Sequence, residues 1–289
     1  EEGIPLHLSH FKVAGPMQQG KVDRAIALIE AARERGVDIT AEQYPYTAGS
    51  TMLSAVLPPW VHASGPDSAI EQLQDEAARE RITRDIEEWR IPGWENIGAL
   101  AGWENVVIAN VESDENDHLE GMSVAEIATQ RDVEPVEAVC DVLVEEELSA
   151  SISLHMLDEG DVRDILSYER VCVGTDGLFG GTPHPRVYGT YPRILGRYVR
   201  DENLLTVEEA VRKMTSLPAR AMGLDHKGVI RAGMDADLVV FDPVTVGSQA
   251  TFENPRRYPQ GIEHVVVNGT FAVRDGETTG SLPGRAVRK

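Results

Sequence analysis

Lysine is scarce in this chain. Only five of its 27 basic residues are lysine (Lys12, Lys21, Lys213, Lys227 and Lys289), and the rest are arginine. The basic residues are themselves outnumbered: 48 acidic side chains leave a formal net charge of -21 over 289 residues. Such a surface repels phosphates and argues against nucleic acid as a partner. It suits a salt-rich cytoplasm, where screening weakens self-repulsion; the plainer reading is an ordinary acidic soluble protein. Cysteine is nearly absent. Cys140 falls in an apolar helical run and Cys172 in a strand, so both read as buried core thiols and not as a disulfide framework. No run of about 18 apolar residues occurs, which argues against a helix in a membrane. No basic end followed by an apolar stretch opens the chain, and a cytoplasmic location is expected. The opening Glu1-Glu2-Gly3-Ile4-Pro5 reads as a helix end turning into a strand, so a preceding segment is expected as well.

Strand and helix signals alternate in what remains. Ile4–Ser9 is rich in Ile and Leu and reads as a strand. Lys21–Arg35 carries apolar residues at a helical period (Val22, Ala25, Ile26, Ile29, Ala32), with Gly36 as its stop. Val37–Ala41 is the next strand. Strand, helix, strand in about 30 residues is the mark of a parallel sheet, and the class is α/β. A long excursion follows from about 47 to 125, with a helical stretch over Ser68–Glu88 and a strand at Val106–Val111. Ser123 with Glu126 predicts a capping box. Helices are expected over Glu134–Glu147 and Glu159–Ser167, with a strand at Ser149–Leu154 between them. Arg170–Gly174 is a compact apolar strand, residues 178–192 a Gly- and Pro-rich loop, and Tyr191–Val199 and Thr206–Met214 helices. Beyond about residue 225 the texture turns to β. Gly228–Gly233 and Ala236–Asp242 read as strands, and Asn268-Gly269 predicts the turn of a hairpin.

Polar groups collect where the parallel strands end. The first strand runs into Ser9-His10-Phe11-Lys12, the second into Glu42-Gln43-Tyr44-Pro45-Tyr46, and the third into Gly174-Thr175-Asp176-Gly177. Active sites of parallel barrels gather at these ends. Each residue also has a plainer reading: His10 as a packed histidine, Asp176 as a turn brace, Tyr44 and Tyr46 as core aromatics, Lys12 as a solvated charge.

Taken in order, Ser9–Val13, Tyr44–Thr51, Gly174–Gly177 and Pro183-His184-Pro185-Arg186 resemble the N-acyl-D-amino-acid deacylases (D-aminoacylases) of the amidohydrolase superfamily. Lys213–Ser216 and Gly233–Asp242 extend the resemblance to the tail, and it is weakest over about 60–125. It implies the C-terminal part of a TIM-like (β/α)8 metallo-dependent hydrolase barrel with a small C-terminal β-sandwich. Residues 1–224 would hold barrel strands six to eight with an inserted segment at about 60–125, and 225–289 a small β-rich composite domain. It implies zinc as cofactor, His10 as a zinc ligand, and Asp176 as the base for the hydrolytic water and a candidate ligand of a second metal. Lys12, Tyr44, Ser50 and Arg186 would hold the carboxylate and amide of a small N-acyl amino acid.

The departures from the pattern are specific. The family's His-x-His pair, its Cys ligand and its fifth-strand His have no counterpart, and Phe11 stands where the family has a second His. Three or four ligands normally hold zinc. The missing half of the barrel is therefore expected elsewhere, and this chain alone is expected to be inactive. The alternatives are another amidohydrolase acting on cyclic amides, or a non-catalytic remnant.

Overall fold

The computed structural model describes residues 4–287. The reading of Glu1, Glu2 and Gly3 as a helix end lies outside the described residues. Strand β1 (Leu6–Leu8), helix α1 (Val22–Glu34) and strand β2 (Ile39–Gln43) form the first unit. β1 and β2 pair in parallel, with Leu6 opposite Ile39, His7 opposite Thr40 and Leu8 opposite Ala41. A parallel pair needs a crossover, and α1 supplies it. β2 starts two residues later than expected because the Val37 N–H bonds back to Ala32 O at the helix end. Its pleat sends Ile39, Ala41 and Gln43 to a buried face, and Ala41 packs there against Val22, Ile165 and Val171. His7, Thr40 and Glu42 share the opposite face.

The chain then leaves this sheet. Strand β3 (Gly49–Met52), helices α2 (Pro66–Gln74), α3 (Glu76–Glu87) and α4 (Ile97–Ala101), strand β4 (Val106–Asn110), helices α5 (Val124–Arg131) and α6 (Pro135–Glu145) and strand β5 (Ser151–Leu154) build a second layer. Its three strands are antiparallel in the order β3-β5-β4. Its core runs from Leu53 through Leu73, Ile82, Ile108, Ile127 and Leu143 to Ile152. The stretch 60–125 is thus part of a larger layer that begins at Gly49 and closes at Leu154. The single helix expected over 68–88 is two helices: Asp75 is extended (φ -88°, ψ 124°) and its side chain accepts the Ala78 N–H, capping α3. The capping box at Ser123 and Glu126 forms as expected.

Helix α7 (Glu159–Ser167) and strand β6 (Val171–Val173) return the chain to the first sheet, whose order is β1-β2-β6. β6 lies parallel to β2, with Glu42 opposite Cys172 and Gln43 opposite Val173. The next helix, α8 (Arg186–Arg193), starts five residues before the expected Tyr191. The Arg186 N–H bonds to His184 Nδ1 and the Thr190 hydroxyl bonds to Arg186 O, so side chains satisfy a first turn that composition alone reads as loop. Pro192 inside this helix brings no N–H, and the backbone beyond it widens into a π-helical run, Ile194–Asp201. Helices α9 (Val207–Met214) and α10 (Ser216–Ala221) follow, α9 capped by the Thr206 hydroxyl.

Strands β7 (Leu238–Phe241), β8 (Ile262–Val267), β9 (Thr270–Arg274) and β10 (Glu277–Thr278) form an antiparallel sheet in the order β10-β9-β8-β7. Asn268 and Gly269 turn the β8–β9 hairpin with φ of 48° and 77°, the left-handed pair this turn demands. The strand expected at Gly228–Gly233 does not form. Gly228 and Gly233 adopt φ of 85° and 88°, and the Met234 N–H closes a turn on Arg231 O. Among the described residues no helix is long and apolar enough to cross a membrane.

Lys213 on α9 ties this packing together. It is fully buried, and its Nζ donates to Tyr168 O at 2.6 Å and to Val171 O at 3.2 Å, the entry to β6. Burial pushes its pKa down to about 8, against the pull of Glu209. Lys213→Met is expected to destabilise the chain by about 1–3 kcal/mol, the cost of leaving buried carbonyls short of donors; urea unfolding measures it.

Candidate functional site

The three parallel strands end at one edge, and each end turns abruptly. β1 stops at Leu8, so His10 lies beyond the strand, in a turn with φ 40°. Lys12 Nζ sits 2.8 Å from His10 Nδ1 and donates to His10 O at 3.0 Å. β2 gives way at Gln43 to Tyr44-Pro45-Tyr46, where Pro45 brings no ladder donor. Both tyrosine rings are buried. β6 ends at Val173, and Asp176 stands in the left-handed region with φ 47°. Strand order and parallel sense bring these ends together, as in other parallel sheets whose sites lie outside the carboxyl ends of the strands.

Arg186 is the centre of the cluster. It has no exposed surface, although it is charged. Its Nη1 lies 3.0 Å from Asp176 Oδ2, and its Nη2 donates to Ser50 O at 3.2 Å. Its guanidinium carbon is 4.5 Å from the Tyr44 ring centre, and Lys12 Nζ is 5.7 Å from the same centre. The Asp176 contact is close but poorly angled for a hydrogen bond, and among the described residues Nε and Nη1 have no hydrogen-bond acceptor. The charge of Arg186 is thus paired with Asp176, while two of its buried nitrogens make no hydrogen bond among the described residues. Burial pushes the Tyr44 hydroxyl up to about 12, so it stays neutral beside its cations. Burial pushes the Lys12 ammonium down, with Asp176 opposing. Ser50 reaches the cluster through its backbone carbonyl, from β3 of the second layer. His10, Lys12, Tyr44, Ser50, Asp176 and Arg186 are therefore linked by a chain of direct contacts.

His184 was not singled out for a role by sequence reasoning, although it sits between two prolines in the motif. It is buried, and its two nitrogens have different duties. Nδ1 accepts the Arg186 N–H at 3.0 Å, so Nε2 carries the proton and donates to Ala48 O at 3.0 Å. Tyr46 and Phe252 enclose the ring at 5.1 and 4.9 Å between centres. The imidazole thus anchors the start of α8, and with it Arg186, to the second layer.

Zinc fits this donor set incompletely. His10 and Asp176 are two donors, and three are the usual minimum. Among the described residues no three His, Cys, Asp or Glu side chains come together to hold a metal. Cys140 and Cys172 are buried, and burial pushes both thiols up to about 11, away from the thiolate a metal needs. The residues described do not by themselves make a closed metal centre.

Burial, and then Arg186 beside it, push His184 down to about 3. The folded chain keeps it neutral, whereas an unfolded histidine takes a proton near pH 6.5. Between these values the unfolded state binds more protons, so stability falls as pH falls from about 6.5 to 3. In His184→Gln that part of the acid sensitivity is expected to be absent, which urea midpoints across this window will show.

A model of the amidohydrolase family matches residues 94–273. A D-aminoacylase from Alcaligenes xylosoxydans xylosoxydans is 36% identical over 290 residues, covering all of this chain and 50% of that protein. Among solved structures, a D-aminoacylase variant in complex with copper chloride aligns with a TM-score of 0.77 at 34% identity, covering 99% of this chain and 50% of that one. N-acyl-D-glutamate deacylase from Bordetella bronchiseptica, complexed with zinc and a phosphonate mimic of the tetrahedral intermediate, aligns with a TM-score of 0.72 at 29% identity, covering 96% and 50%. The chain spans about half the length of the relatives it matches. With more than half of its residues under the family model, the chain belongs to the amidohydrolase family.

Proposed function

We propose that this chain carries the substrate-gripping and proton-transfer half of a zinc-dependent hydrolase of N-acyl-D-amino acids. The observation that carries the reading is the fully buried Arg186, with donors unengaged, beside Asp176 at the strand ends. Such a guanidinium suits the free carboxylate of an N-acyl amino acid. Lys12 is a second cation on the same Tyr44 ring, and Ser50 supports the amide. The choice of D-amino acids follows the named activities of the relatives.

In this reading β1, β2 and β6 are strands six to eight of a (β/α)8 barrel, over residues 1–224. The sheet β7–β10 is one layer of a small β-sandwich domain over 225–289. That fits a sheet left open on both faces: Val239 keeps 56% of its surface on one face and Val240 49% on the other. His10 is one zinc donor, and the others come from the part of the relatives' length that this chain does not span. Asp176 takes a proton from the attacking water. Hydroxide adds to the acyl carbon, the C–N bond breaks, and Asp176 delivers the proton to the leaving amine. The products are a carboxylate and a D-amino acid. The acidic, lysine-poor surface supports reading the protein as one of a salt-rich cytoplasm.

The test is release of D-amino acid from N-acetyl-D-amino acids by a protein that carries this chain with the rest of the fold. Asp176→Asn is expected to lower kcat by roughly 10²–10⁴. Arg186→Lys is expected to raise KM about tenfold or more, since lysine cannot offer two parallel donors. Full activity in Asp176→Asn would show that another group is the base.

A further inference from the structure

His10 and Lys12 leave β1 through one turn, and that turn is strained. At φ 40° the β-carbon of His10 is crowded against its own backbone. A side chain persists there only where its surroundings over-determine the backbone. One residue on the neighbouring strand supplies most of that determination. Glu42 Oε1 accepts the Ser9 hydroxyl at 2.8 Å, and Glu42 Oε2 accepts His7 Nε2–H at 3.1 Å. The Glu42 backbone carbonyl accepts the Phe11 N–H at 2.7 Å. Residues 7, 9 and 11 thus close on Glu42 from both sides of His10.

The surroundings aim this carboxylate. Thr40 Oγ1, one pleat earlier on the same face, holds His7 Nδ1 at 2.7 Å, which turns Nε2 toward Glu42. On the other side Gly174 leaves room: a β-carbon there would stand 3.4 Å from Glu42 Cδ. Partial burial raises the pKa of Glu42, but the bonds from His7 and Ser9 outweigh it and keep the group ionised. Both carboxylate oxygens are thus engaged within the fold.

We propose that Glu42 is the positioning residue of this site: it locks the Ser9–Phe11 turn and thereby sets where the His10 imidazole and the Lys12 ammonium point. Its functional weight rests on the reading of His10 and Lys12 as site residues. Its structural claim concerns the turn alone.

The test uses the 289-residue chain. Glu42→Gln keeps the size of the side chain and loses the charge and one acceptor. The Phe11 amide is expected to exchange roughly tenfold faster as the turn loosens, and the His10 Cα and Cβ chemical shifts to leave the left-handed range. The amides of Ala41 and Val171, deep in the same sheet, should exchange as before. Glu42→Asp, which keeps the charge, should restore part of the shift. Thr40→Val, which breaks the other bond to His7, should leave the His10 shifts in place. If Glu42→Gln unfolds the chain, Ser9→Ala removes one of the same bonds and should move the His10 shifts in the same direction. Unchanged His10 shifts in the folded variants, or equal displacement by Thr40→Val, overturn the proposal. If the turn is released but the full protein has no deacylase activity, the functional reading fails and the lock stands. If the full protein is active and Glu42→Gln alters neither the turn nor kcat and KM, the lock fails and the functional reading stands.

Discussion

A guanidinium shut away from water has to be answered by its neighbours, because an uncompensated buried charge is among the most costly groups a fold can hold. Arg186 is that group here. Asp176 answers its charge, the Tyr44 ring its flat face, and Ser50 O one of its donors. These partners come from three places: the end of β6, the end of β2 and the start of β3. The parallel sheet, the second layer and helix α8 are therefore bound to one another through a single side chain. The second layer does more than decorate the sheet, since its Ser50 carbonyl holds Arg186, and the Ala48 carbonyl at its entry holds His184.

Two of the nine non-glycine residues with positive φ among the described residues stand at the same edge. His10 and Asp176 both occupy the left-handed region, which glycine normally fills. Each follows the end of a parallel strand, and each is held by a partner from another element, Glu42 for the first and Arg186 for the second. Residues kept in such conformations mark places where side-chain direction matters more than local comfort. The cluster has cations, a carboxylate and an imidazole within touching range, but too few metal donors of its own.

Much was legible before any fold was visible. Local signals were reliable where one residue decides: the capping box at Ser123, the Asn268-Gly269 turn, the Thr206 cap and the Gly36 stop all act within a few residues. Errors fell where competing local signals had to be weighed against each other. The early start of α8 depends on His184 and Thr190 side chains, and the break at Asp75 on a cap that competes with helix continuation. The strand expected at Gly228–Gly233 failed because two glycines took conformations no strand accepts.

The sequence by itself determined which residue types stand at the three strand ends, because strand, turn and motif are all written in local order. It also carried the family resemblance, through the motifs Ser9–Val13, Tyr44–Thr51, Gly174–Gly177 and Pro183–Arg186 taken in order. Only the tertiary structure decided that Arg186 is buried with donors unengaged, that Ser50 contributes its carbonyl, and that Glu42 and His184 are the braces of the site. These depend on contacts between residues more than 30 positions apart, such as Glu42 with Ser9 and His184 with Ala48. No local pattern records such contacts, since they exist only once the strands are paired and the second layer has folded over them.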